Sequence, residues 1–131
     1  MNASIATRLA SLGMAAAMIA CGNKSPTVPS PGSLPPVQTN TITLTSSGAN
    51  PRNVEIAVGS RVLFVNNDSK SHNMASDPHP EHTQCPELNQ IGFLSAGQSR
   101  ETGNLVTPKS CGFHDHDSPS TGSLQGLITA K

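Results

Sequence analysis

The sequence predicts an all-β domain, a Greek-key β-sandwich or barrel of about seven or eight short strands. Three observations carry that expectation. Short β-type runs recur between Gly, Pro, Asn and Asp punctuation. No segment shows an apolar repeat of helical period. The aromatic residues are only Phe64, Phe93 and Phe113, so the core between the strands must be aliphatic.

The segments that precede the domain come first. Residues 1–20 carry one charge, Arg8, and then an uncharged run of 12 residues from Leu9 to Ala20. A helix needs ~20 residues to span a bilayer, so this run has the shape of a secretory signal instead. Met18-Ile19-Ala20-Cys21 resembles a bacterial lipobox. Residues 1–20 are then expected to be a lipoprotein signal peptide with Cys21 the lipidated first residue of the mature chain, the alternative being ordinary signal cleavage that leaves Cys21 a spare thiol. The expected protein is exported and membrane-anchored, facing the periplasm or the cell exterior. Residues 21–38 are rich in Pro and Ser and lack a hydrophobic period, which suits a tether. The folded domain is residues 39–131.

Within it, "TITLT" (Thr41 to Thr45) alternates Ile42 and Leu44, and "NVEIAV" (Asn53 to Val58) alternates Val54, Ile56 and Val58. Gly59-Ser60 turns the chain into "RVLFV", a continuous apolar run suited to a well-buried strand. Asn66-Asn67-Asp68 breaks that run, and "SHNMAS" resumes an extended segment. After a long loop (Asp77 to Gly92), "FL", "SRETGNLV", "KSCGFHD" and "LQGLITA" are the remaining strand candidates. Setting aside Arg8 and Lys24 leaves the chain near −2, with no basic stripe and no Trp or Tyr to stack a base. A nucleic-acid partner is therefore not expected.

The candidate functional residues are concentrated. All five histidines lie between His72 and His116, which points to a metal site because imidazole is the commonest biological metal ligand. If "CGFHDH" is a strand, Cys111, Phe113 and Asp115 share one face while His114 and His116 share the other. Their Cα atoms, two residues apart along a strand, would be ~6.5 Å apart, and two imidazoles so placed can converge on one ion. His72, after the "NNDSKS" turn, is the candidate third ligand. His79 and His82, in the proline-stiffened "SDPHPEHTQCP" loop, are further candidates.

The stretches "VEIAVGSRVLFVNNDSKSHNM" and "CGFHDHDSPSTGSLQGLITA" resemble the cupredoxins, the plastocyanin- and azurin-like copper proteins. The "SDPHPxH" and "HDH" segments are similar to those of a His-rich cupredoxin subgroup. The resemblance implies a cupredoxin-like fold and one copper ion, with zinc as the less favoured metal. It matches His72 to the family's first histidine ligand, His114 or His116 to its second, and Gly126 to the glycine before the last strand. The chain departs from the family at Leu124, where a methionine is usual, and Met74 is the only methionine beyond the signal segment.

Two roles remain for Cys111. As a thiolate it would complete a blue-copper set with His72 and His114. Alternatively it forms a disulfide with Cys85, the favoured pairing once Cys21 is lipidated and two cysteines remain in an oxidising compartment. Copper would then rest on histidines. With the lipobox-like segment at Cys21, the resemblance leads to the expectation of a copper-binding lipoprotein of the cell envelope, for electron transfer or copper handling, with a redox or copper-transfer partner protein. A metal-binding or electron-transfer protein is expected rather than an enzyme. The alternatives are a small copper enzyme acting on a small molecule at an open copper site, and a metal-free adhesion module; "GFHDH" also resembles a superoxide dismutase strand, but the further histidines that family needs are missing after His116.

Overall fold

The structure, a computed structural model, describes residues 35–131. The expected signal peptide, the lipidation site Cys21 and most of the tether lie outside the described residues. Ten strands follow in chain order: β1 (Val37–Gln38), β2 (Thr41–Thr45), β3 (Gly48–Asn50), β4 (Asn53–Ile56), β5 (Leu63–Asn66), β6 (His72–Ser76), β7 (Gly92–Leu94), β8 (Ser99–Glu101), β9 (Lys109–Asp115) and β10 (Gly126–Ala130). They form a six-stranded sheet, β1-β4-β10-β9-β6-β7, and a four-stranded sheet, β3-β2-β5-β8. Crossing between the sheets makes the expected all-β sandwich.

Alternation sets which side chains meet. In β2, Ile42 and Leu44 are fully buried while Thr41 faces solvent. Val54 and Ile56 of β4 and Ile128 of β10 face the same core, which is aliphatic except for two rings. Phe64 from the smaller sheet meets Phe113 from the larger one edge-on, with centroids 5.3 Å apart. Gly126 is needed beside that pair, because a side chain there would overlap the Phe113 ring and the Arg52 carbonyl.

Three elements differ from the sequence expectation. Val37 and Gln38, placed at the end of the tether, pair in parallel with Val54 and Glu55. Gly48–Asn50 is a short strand against β2. "SRETGNLV" keeps strand pairing only over Ser99–Glu101, after which the Gly103 amide turns to the Glu87 carbonyl.

The turn that leads into β6 is built on one side chain. Asn66 is buried; its amide donates to the Lys70 carbonyl (2.8 Å) and the Leu94 carbonyl (3.1 Å), and its Oδ1 accepts from the Asp68 amide (2.9 Å). This accounts for "NNDSKS" as a fixed turn: a single buried amide satisfies otherwise orphaned backbone groups.

Candidate metal centre

Strands β6 and β9 are neighbours in the larger sheet, in the register Met74 with Asp115, Ala75 with His114 and Ser76 with Phe113. Met74, Cys111 and Phe113 belong to the core. By alternation His114 and His116 point to the opposite side, the outer face of the sheet. His114 is nevertheless buried, because the loop that follows β6 folds back over it.

That loop is fastened at several points. The Asp77 amide donates to the Gly112 carbonyl (3.0 Å), and the Gly112 amide donates to Gln84 Oε1 (2.7 Å). Cys85 and Cys111 form a buried disulfide, S–S 1.98 Å. Asn89 accepts from the Ser76 amide (2.9 Å) and donates to the His82 carbonyl (2.7 Å), so it ties the loop to β6. Inside the loop the His82 amide bonds the Pro78 carbonyl (2.7 Å), and His82 has a left-handed φ of 52°. A non-glycine residue held there is strained by about 1 kcal/mol or more, and such strain concentrates at functional positions.

The result is a cluster of four imidazoles, His79, His82, His114 and His116, whose ligand atoms all lie within 4.8 Å of one another. His82 Nε2 is 3.2 Å from His114 Nε2 and 3.2 Å from His116 Nδ1. The His79 ring stands 5.0 Å from that of His116, centroid to centroid. Nitrogens bound at about 2.0–2.1 Å to one ion are ~3.3 Å apart in a tetrahedron and up to ~4.2 Å apart in a square. The cluster needs only modest closure at its widest pair to hold one ion. Burial holds the His82 pKa below the ordinary histidine value, and the neighbouring His114, His116 and His79 push it the same way. A neutral ring keeps its lone pair for a metal.

No protein-family model matches the sequence, and comparison with curated proteins finds no match. Solved structures do match. A purple cupredoxin from Nitrosopumilus maritimus is similar over 71% of this chain and 100% of its own, at 21% identity and a TM-score of 0.55. A mutant fern plastocyanin is similar over 70% of this chain and 99% of its own, at 19% identity and a TM-score of 0.56. A copper-containing nitrite reductase from Thermus scotoductus matches over 76% of this chain but 23% of its own length, at 20% identity and a TM-score of 0.52. The chain has a cupredoxin-like fold. At these identities the likeness is one of architecture, and the site must be argued from its own residues.

Within the cupredoxin-like frame the sequence candidates separate. His114 and His116 come together as the strand alternation requires, and His79 and His82 join them as full members of the cluster. His72 does not. It is buried on the core side of β6, its Nδ1 2.8 Å from Asp115 Oδ2 and its Nε2 3.3 Å from Asp68 Oδ2. Asp115 Oδ1 in turn accepts from the amides of Asn73 and Asp117, each at 3.1 Å. The thiolate role considered for Cys111 is corrected by the disulfide, which leaves that sulfur no lone thiolate to offer a metal. Two supporting residues escaped the sequence reading. Asp77 meets His114 Nδ1 at 2.7 Å, and Asn89 clamps the His82 backbone.

Proposed function

We propose that this protein binds one copper ion through His79, His82, His114 and His116, and that it handles copper rather than serving as a blue-copper electron carrier. The observation that carries the reading is the four-imidazole cluster, with Cys111 bonded to Cys85. Imidazole nitrogens without thiolate or thioether make a harder donor set, suited to Cu(II) and also acceptable to zinc. The likeness of the fold to a copper-containing nitrite reductase supports copper as the ion. Copper would supply a redox-active Lewis acid when bound; His79, His82, His114 and His116 would hold it, with His79 the exposed member of the set. The lipobox at Cys21 supports a domain tethered at the cell envelope, where it would pass copper to a transfer partner.

Loading the protein with one equivalent of Cu(II) tests this by visible and EPR spectroscopy. A faint visible band with wide copper hyperfine splitting is expected. An intense band with narrow splitting, or loss of the copper to a weak chelator, overturns the reading.

One observation favours a second function. A cleft of about 220 Å³ lined by Asn73, Met74, Ala75, Asn89 and Gly92 borders His82 and His116. It offers room for a small molecule beside the metal, as the chemistry of a small copper enzyme requires. Azide titration of the copper-loaded protein decides this: a new charge-transfer band supports it, and an unchanged spectrum sinks it.

A further inference from the structure

A neutral imidazole has one N–H and one lone pair, so it can bind a metal only through the nitrogen that does not carry the proton. The two ligands at this end of β9, His114 in the strand and His116 just past it, present different nitrogens. His116 turns Nδ1 toward His82, and His114 turns Nε2 toward it. His116 therefore needs its proton on Nε2, the tautomer that histidine side chains favour in water. His114 needs the opposite tautomer, with the proton on Nδ1.

The structure supplies a device for that one ring. Asp77 Oδ1 lies 2.7 Å from His114 Nδ1. An ionised carboxylate only accepts hydrogen bonds, so Nδ1 must be the donor and Nε2 is left with its lone pair. Burial makes the partner necessary, because the His114 side chain is only 3% exposed and water cannot serve its N–H. Among the described residues no carboxylate pairs with the ring of His116, whose favoured tautomer needs none.

The carboxylate has a prepared place. Asp77 follows β6 directly, and its backbone is fixed at both ends of the residue, by its amide to the Gly112 carbonyl (3.0 Å) and by its carbonyl to the Gln84 amide (2.9 Å). Its carboxylate lies over Gly112, where any Cβ would overlap it. Gly112 and His114 are alternate residues on one face of β9, so the missing side chain of the first admits the acceptor that orients the second.

We propose that Asp77 is the positioning residue for His114: its carboxylate, lodged in the slot left by Gly112, holds the ring as the Nδ1–H tautomer with Nε2 aimed into the histidine cluster. The consequence for metal binding rests on the four-histidine reading above, whereas the tautomer itself can be read without any metal.

The test uses the full-length chain, labelled with 15N and free of metal, and reads the imidazole tautomers from long-range 1H–15N correlations. Wild type is expected to show His114 as a single Nδ1–H form. Asp77→Asn preserves the shape but can donate as well as accept, so it is expected to release the ring into a tautomer mixture; Asp77→Ala and Gly112→Ala should do the same. Zn(II) affinity, measured by chelator competition, should fall ~10–100-fold in each variant, the range seen when such partners of a ligand are removed. A His114 that stays entirely Nδ1–H in Asp77→Asn, or a Zn(II) affinity unchanged in all three variants while wild type binds, overturns the proposal. If wild type takes up neither Zn(II) nor Cu(II), it is the metal reading that falls, and the tautomer spectra still decide the role of Asp77.

Discussion

Cys85 is bonded to Cys111; Cys85 stands three residues after His82 on the loop, and Cys111 stands three residues before His114 on the strand. The disulfide is thus a covalent link between the two segments that supply the imidazoles. Both cysteines are fully buried in the core, so the link acts as a permanent staple for the loop.

The first prediction concerns that staple. The Cys85→Ala/Cys111→Ala double variant should lose about 3–4 kcal/mol of stability in the chain-entropy model, a large share for a domain of this size. Copper affinity should fall with it, because the His79–His82 loop is freed from β9. Urea unfolding and chelator competition measure the two effects. Thiol titration of the unreduced protein should find neither cysteine free.

His82 offers a way to separate binding from folding. Its φ of 52° is tolerated best by Asn among residues with a side chain, and worst by a β-branched residue. His82→Asn should keep or slightly raise the stability of the metal-free protein, whereas His82→Val should lower it by about 1–3 kcal/mol. Both should weaken metal binding by more than the ~10–100-fold expected for supporting residues. Thermal melts of the metal-free variants, followed by copper titration, check both parts.

Much of this architecture was legible because strand alternation is a local property. Ile42 and Leu44, or Val54 and Ile56, declare their inward face without reference to the rest of the chain. The same alternation correctly opposes His114 and His116 to Phe113. It also held a signal about His72 that the family resemblance masked: Met74, two residues on, is the large apolar side chain of β6, so His72 shares its inward face. What could not be read depends on distant parts of the chain meeting. β1 is two residues at the end of a proline-rich run and exists only because β4 offers an unpaired edge. The convergence of His79 and His82 on β9 depends on loop closure by Asn89, Gln84 and the disulfide. The role of Asp77 depends on a glycine on another strand.

The acid limb of the stability curve should report Glu87. Its hydrogen bond from Lys109 Nζ (2.6 Å) holds the carboxyl below the ordinary glutamate range, against the opposing effect of burial. A depressed folded-state pKa contributes stability that is present above the unfolded value of about 4.3 and is lost as pH falls through the folded value. Glu87→Gln should therefore be less stable than wild type by up to about 1 kcal/mol at pH 6, and the gap should close as the pH drops below ~4. Denaturant titrations at several pH values would show it; a gap that widens toward acid would contradict the sign.

His72 is the residue on which fold and site make opposite demands, and its replacement discriminates between them. Held between Asp115 and Asp68, it is the partner of two carboxylates that are themselves almost wholly buried. Removing it leaves two buried carboxylates without that hydrogen-bond partner, which costs about 1–3 kcal/mol or more. His72→Ala should therefore lower the melting temperature sharply. Its effect on copper affinity should be smaller than that of His114→Ala, because Asp115 keeps its two backbone bonds to Asn73 and Asp117 and so still holds the strand end between His114 and His116. Affinity is measured per folded molecule, by copper titration well below the melting transition. Under those conditions a loss equal to that of His114→Ala, with stability preserved, would put His72 back among the ligands.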